Sequence, residues 1–174
     1  MPKDTKARAL EAARELFFEQ GLRRTSLQDI ADRLGITKPA LYYHFSSRDD
    51  LVRSLVQPLV DDGATYLATL TPGPARPLLE GYYDFLYRHK PVVALIVREL
   101  VALTEMGLFS HFMEWRTRLT ESLFASEPTP AELIRATVSI GGLSDCVVLF
   151  VEGDEPPNLR EVAVDAAMRA LDLT

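Results

Sequence analysis

Apolar positions recur along this chain every three or four residues, the spacing of helices that bury one face. Over residues 5–20, Leu10, Ala13 and Phe17 fall on one stripe with Ala9 and Leu16 beside it, and Gly21 offers a left-handed stop. A second helix over 26–34 opens on Thr25-x-x-Gln28, or one residue later on Ser26-x-x-Asp29, each a capping-box spacing, and ends at Gly35. A third over 38–45 follows Thr37, with Pro39 in the first turn, where a missing N–H costs little. Ser46 and Ser47 break it, and Ser47-x-x-Asp50 opens a longer helix from about residue 48. Pro58 predicts a kink or break in that helix, and the TPGPARP segment at 71–77 reads as a loop. Further helices are expected over 78–89, 91–105, 108–125, 130–151 and 159–172, separated by Pro91, Gly107, EPTP at 127–130 and EGDEPPN at 152–158. No pair of alternating runs flanks a hairpin turn, so the expected class is all-α, with about nine helices. The boundary is placed between a head at 1–47 and a body at 48–174.

Composition leaves that picture standing and removes competitors. The 174 residues are 47% hydrophobic and 25% charged, an ordinary globular mix with enough chain for a real core. One cysteine rules out an internal disulfide framework, and Cys146 lies in an apolar run, as a buried inert thiol would. The longest apolar run, residues 91–97, is far short of the ~20 residues a membrane span needs. The N-terminus has no signal-peptide core, so a cytoplasmic protein without membrane contact is expected. Three dispersed histidines and one cysteine give no zinc spacing, and ordinary surface or capping roles suit His89 and His111. No nucleophile elbow or phosphate loop is visible, so neither a metal, a cofactor nor an enzymatic activity is expected.

Charge sharpens the reading. The net charge of −6 argues against nucleic acid only until it is divided. Residues 1–60 hold ten Lys/Arg against eight Asp/Glu, whereas residues 61–174 hold nine against seventeen. A weakly basic head on an acidic body keeps DNA binding open for the head.

Residues 25–51, TSLQDIADRLGITKPALYYHFSSRDDL, have the spacing of a helix-turn-helix centred on Gly35. Ile30, Ala31 and Leu34 would face Leu41 and Phe45 across the turn, with Ile36 plugging the corner and the first helix covering both from behind. The outer face of the second helix then carries Lys38 and Tyr42, flanked by Pro39 with Tyr43 and Ala40 with His44. Lysine can donate to guanine, alanine and proline can touch a thymine methyl, and the phenols and imidazole can hold phosphates. The helix starts at Thr25/Ser26 and Ser47/Arg48 would add backbone amides for phosphate. The bland alternative for Tyr42, Tyr43 and His44 is a solvated polar face.

This stretch, preceded by AARELFFEQGLRR, resembles the DNA-binding head of the TetR (tetracycline-repressor-like) family of transcriptional regulators over about residues 8–52. The resemblance implies that Ser26, Gln28, Lys38, Pro39, Ala40, Tyr42, Tyr43, His44 and Arg48 lie near DNA, to which the helix start adds Thr25. It also implies a helical body that dimerises and, in many members, binds a small effector.

In the body, residues 137–151 carry a single charge, Asp145, and a helix apolar all round must be covered on all sides. Val138, Gly141, Gly142 and Asp145, with Ala163, Ala167, Met168 and Leu171 of the last helix, are the candidate dimer contacts; the alternative is a central core helix in a monomer. Tyr66, Tyr82, Phe85, Met106, Phe109, Phe112, Met113 and Trp115 are candidate effector contacts, though aromatic and thioether residues are more often core. Arg98 and Glu99, like Asp145, are either an internal ion pair or a polar handle for an effector.

The expectation is a homodimeric regulator that reads palindromic double-stranded DNA and is released, as a repressor, by a small hydrophobic effector. The helix from residue 48 would be the lever, bending at Pro58. The rival is a helical small-molecule-binding or adaptor protein whose head is non-functional or non-specific.

Overall fold

The computed structural model describes residues 2–105, 107–150 and 155–172, and every regular element among them is helical. The order is α1 (Pro2–Gln20), a one-turn 3-10 helix (Leu22–Arg24), α2 (Leu27–Leu34), α3 (Lys38–Tyr42), α4 (Arg48–Thr69), α5 (Ala75–Arg88), α6 (Lys90–Arg98), α7 (Leu100–Glu105), α8 (Phe109–Leu123), α9 (Pro130–Leu149) and α10 (Leu159–Leu171). Ten α-helices replace the expected nine or so because the segment 91–105 is divided at Glu99, where no Gly or Pro announces a break. The loop after α4 is shorter than expected, since Ala75, Arg76 and Pro77 already belong to the first turn of α5. Pro58 does not break α4. It lies on the exposed side of an uninterrupted helix whose buried stripe is Leu51, Val52, Val56 and Leu59.

The chain forms two compact units, Met1–Val60 with Leu95–Phe109, and Asp61–Ala94 with Ser110–Thr174. The first unit therefore reaches past residue 47 along α4 and takes in the α6–α7 joint as well. Its core is the helix-turn-helix core: Ile30, Ala31, Leu41 and Phe45 are buried, and α1 covers them with Ala9, Ala12, Ala13, Leu16 and Phe17. The buried stripe of α1 is rotated from the expected one, leaving Leu10 only half-buried.

In the second unit α5, α9 and α10 pack on one another. Their buried positions repeat at three or four residues: Ala75, Leu79, Tyr83 and Leu86 on α5, and Leu159, Ala163, Ala167 and Leu171 on α10. α9 opens with a reciprocal cap between Thr129 and Glu132. Arg160 of α10 clasps the Asp84 carboxylate of α5 with two hydrogen bonds of 2.6 and 2.8 Å. A ring cluster fills the side toward α8: Phe85 stacks on Tyr66 with centroids 5.3 Å apart and meets Trp115 edge-on at 5.6 Å, and Phe112 meets the same indole at 5.1 Å.

Candidate nucleic-acid interface

The geometry of the head starts at its two turns. Gly35 caps α2 in the left-handed conformation (φ 65°, ψ 33°), and the Ile36 N–H returns to the Ala31 carbonyl at 3.0 Å. That turn aims α3 away from α2 while Leu41 anchors it beneath. α2 begins with a true capping box, formed by Ser26 and Asp29. The Asp29 carboxylate accepts the Ser26 N–H and hydroxyl, each at 2.7 Å, and these bonds hold its pKa below the usual carboxylate range. Ser46 and Asp50 make the equivalent bonds at the start of α4, at 2.8 and 2.9 Å, with the same effect on Asp50.

Of the two candidate openings for α2, the Ser26 one is used, which displaces Thr25 from the role expected for it. Thr25 is 1% exposed, and its hydroxyl donates to the Gly21 carbonyl at 2.9 Å. It ties the end of α1 to the turn with its hydroxyl directed inward, while the residue itself borders the recess described below. Gln28 is exposed and donates to Asp32 at 2.7 Å. α3 is regular only over Lys38–Tyr42, but the Phe45 N–H still reaches the Leu41 carbonyl at 3.1 Å, so the helical path continues past Tyr43. Thr37 precedes it without a side-chain cap.

On the outer face Lys38, Pro39, Ala40, Tyr42 and Tyr43 are all exposed, Tyr43 to 81%, while His44 is half-buried. The Lys38 ammonium lies 5.9 Å from the Tyr42 ring centroid, and the Tyr43 and His44 rings meet edge-on at 5.1 Å. With 81% of Tyr43 and 48% of Tyr42 open to solvent, both phenols are accessible to a ligand.

Beside this face lies a recess of about 400 Å³ lined by Arg23, Arg24, Lys38 and Arg48, by Tyr42, and by the first residues of α2 and α4. Four cations and two helix N-termini converge there, and no carboxylate among the described residues lines it. Guanidinium and ammonium groups beside the positive ends of helix dipoles suit a phosphate. Arg48 is partly engaged elsewhere: it donates to the Leu22 carbonyl at 3.0 Å. Arg23 pairs with Glu105 at 2.7 Å on the surface. Arg23 and Arg24 are absent from the sequence-based candidates, although an Arg-Arg pair separated from the capping Ser26 only by Thr25 is a readable sign.

The other candidate sets are divided differently. Tyr66, Phe85, Phe112 and Trp115 come together in the ring cluster. Two of the body's phenols are tied to protein groups: Tyr66 donates to the Leu78 carbonyl at 3.2 Å, and the Tyr82 hydroxyl bonds Ser144 at 2.9 Å. Burial raises both their pKa values. Met113 is turned into a separate groove of about 620 Å³ with Phe124 and Leu133. Arg98 is exposed and Phe109 half-buried, whereas Glu99 accepts a hydrogen bond from the Leu22 N–H. Met106 lies outside the described residues.

Among the dimer candidates, Val138, Gly142 and Asp145 are exposed and Gly141 is half-buried. Ala163, Ala167 and Leu171 are corrected: they are buried against their own unit, and Met168 is half-buried. The exposed side of α10 carries Val162 and Ala166 instead. With Ile134, Val138 and Leu149 of α9 they leave an apolar surface uncovered, which continues into a groove of about 270 Å³ walled by Cys146, Leu149, Phe150 and Leu159. Among the described residues no helix is long and apolar enough to cross a membrane.

Residues 9–55 match the N-terminal family model described as "Bacterial regulatory proteins, tetR family". The HTH-type transcriptional regulator TtgR of Pseudomonas putida is 40% identical over 57 residues, covering 33% of this chain and 27% of that protein. The HTH-type transcriptional repressor KstR2 of Mycobacterium tuberculosis is 32% identical over 108 residues, 59% of this chain and 54% of that one. The chain thus spans between about a quarter and a half of the length of these relatives. Among solved structures, a transcriptional regulator (TerR/AcrR family) from Aquifex aeolicus superposes with a TM-score of 0.74 at 26% identity, covering 95% of this chain and 98% of that one.

Proposed function

We propose that the chain, whose residues 9–55 match the tetR family model, is a tetR-family regulator that binds DNA sequence-specifically. The observation that carries this reading is the cationic recess, with its two helix N-termini, beside the exposed Lys38, Tyr42 and Tyr43. The recess would seat backbone phosphate while α3 enters a major groove, with Lys38, Pro39 and Ala40 toward base edges and Tyr42, Tyr43 and His44 toward phosphate.

The exposed apolar surface of α9 and α10 supports a homodimer, which would present two heads to a palindrome. We take the chain to be a repressor released by a small hydrophobic effector bound among the body's aromatic residues. Such an effector acts only through its different affinity for the DNA-bound and released arrangements.

Selection of duplexes from a random pool by the purified protein tests this. Enrichment of a two-fold-symmetric motif, with binding that weakens steeply in salt, is the expected result. Each phosphate neutralised contributes about −0.9 to the log–log slope. Weak binding with no enriched motif would instead favour an adaptor or small-molecule-binding protein.

A further inference from the structure

The peptide groups of Leu22 are held from two directions. Its carbonyl accepts from Arg48 at 3.0 Å, and its N–H donates to Glu99 Oε1 at 3.2 Å. Arg48 stands at the start of α4, but Glu99 comes from the α6–α7 joint, 77 residues along the chain and outside the segment that matches the family model. The Leu22 side chain is fully buried, so this one-turn helix cannot shift without disturbing the core. The next residues, Arg23, Arg24 and Ser26, form one wall of the cationic recess.

Gly21 makes the approach possible. It sits at φ 89°, where a side chain is disfavoured, and a Cβ there would come 3.3 Å from Glu99 Oε1. Glu99 itself closes the α6–α7 joint: its N–H bonds the Leu95 carbonyl at 2.9 Å and its carbonyl accepts from Leu103 at 3.1 Å. The carboxylate is therefore fixed at its base as well as at its tip. A second acid of the same segment, Glu105, reaches Arg23 on the surface.

From this arrangement we infer that Glu99 is a positioning residue for DNA binding: its side-chain oxygen fixes the Leu22 turn and, through it, the phosphate-facing residues 23–26. Glu99 touches no DNA in this scheme. The inference rests on the DNA-binding function proposed above, and what matters is an acceptor at the right reach rather than a negative charge. A carboxylate acting through charge alone would, if anything, repel a phosphodiester backbone.

Three variants separate reach from charge. Glu99→Gln keeps an acceptor of the same length and loses the charge; Glu99→Asp keeps the charge and withdraws the oxygen by one methylene; Glu99→Ala loses both. Amide hydrogen exchange at Leu22 in the full-length protein reads the bond without DNA, and affinity for the selected duplex reads its consequence. Glu99→Ala and Glu99→Asp should exchange faster at Leu22 and bind the duplex about tenfold more weakly, because DNA must then order a turn that has lost one hydrogen bond. Glu99→Gln should match the parent in exchange and come within about threefold of it in affinity. Thermal unfolding identifies a variant that fails to fold, and Glu99→Asp serves if Glu99→Ala does. The inference is overturned if Glu99→Asp and Glu99→Gln change affinity by the same factor, or if Leu22 exchange does not respond to Glu99→Asp. If the parent selects no duplex, the DNA-binding reading fails, while the exchange data still decide whether Glu99 fixes the turn.

Discussion

The indole of Trp115 closes over Gly63 so tightly that a Cβ on that glycine would fall inside the ring's contact distance. Gly63 lies in the interior of α4, where alanine would ordinarily favour the helix by about 1 kcal/mol. Trp115 is itself wedged against Phe85 and Phe112 and cannot withdraw freely. Gly63→Ala should therefore destabilise the protein by about 1–2 kcal/mol net, the overpacking cost exceeding the helix gain. In a Trp115→Ala background the same substitution should become neutral or stabilising. Denaturant unfolding of the four members of this cycle measures the change of sign, and a destabilisation of equal size in both backgrounds would contradict the contact.

Lys38 and Tyr42 share one side of α3, and they should answer differently to substitution. Each, changed to Ala, should cost roughly 1–3 kcal/mol of duplex affinity. If Lys38 reaches a base, Lys38→Ala relaxes preference at one position of the motif; if it holds a phosphate, it weakens all sequences alike and lowers the salt slope by about one. Tyr42→Phe should recover most of the loss if the ring only supports the lysine, and none if the hydroxyl holds a phosphate. Binding isotherms at several salt concentrations on matched and single-mismatch duplexes distinguish these outcomes.

The head is legible in the sequence because its packing is local. Ile30, Ala31, Leu41 and Phe45 lie within sixteen residues, and a turn at Gly35 leaves one way to bury them together. The exposed residues of α3 then follow by angle. The body offers no such shortcut. On α10 the pattern holds two small-residue stripes, Ala163 with Ala167 and Val162 with Ala166, and only the packing of α10 on both α5 and α9 decides that the first faces inward. Thr25 departs from expectation for a finer reason: Thr25 and Ser26 both have the hydroxyl for a cap, and the inward pull of the Gly21 carbonyl on Thr25 cannot be seen in the sequence. The division at Glu99 carries no breaker residue, and its partner Leu22 is too distant for any periodicity to indicate.

Asp29 and Asp50 tie stability to acid. Hydrogen bonds from the Ser26 backbone and hydroxyl depress the folded-state pKa of Asp29, and Ser46 does the same for Asp50. A depressed carboxylate contributes stability that is complete above its unfolded value, near 4, and is lost as pH falls through the folded one. Both groups are exposed to solvent, so each contribution is small. Asp29→Asn and Asp50→Asn should leave a flatter decline of thermal midpoint below about pH 5 than the parent shows. An unchanged decline in the double variant would mean that the caps are not the acid-sensitive groups.

Glu105 opposes Glu99 in its expected effect on DNA. It pairs with Arg23, one of the four cations lining the recess, and both partners are well exposed, so the pair adds little to stability. Glu105→Ala should leave the unfolding midpoint nearly unchanged while releasing Arg23 toward a phosphate. Duplex affinity should rise at low salt, and the log–log slope should steepen by up to about 0.9 for each head whose Arg23 neutralises one more phosphate. A loss of affinity instead would mean that the pair holds Arg23 where the phosphate needs it.

The apolar face of α9 and α10 gives the sharpest test of assembly. Val138 is 58% exposed, four residues after the similarly exposed Ile134, and Gly142 follows at the same spacing. A charge at Val138 costs the isolated chain little, because the side chain already faces solvent. Buried between two copies, the same charge would meet its symmetry mate or an apolar surface unpaired, a penalty of roughly several kcal/mol. Val138→Arg should therefore keep the helical content and unfolding midpoint of a folded monomer while shifting the sedimentation coefficient from dimer to monomer. Affinity for a full palindrome should fall to that for a half-site, since one head no longer brings the other with it. Ala167→Arg provides the contrast. That position is buried within its own unit, so the substitution should unfold the body rather than separate intact copies. If Val138→Arg remains dimeric with full palindrome affinity, the face that pairs two chains lies elsewhere on the body.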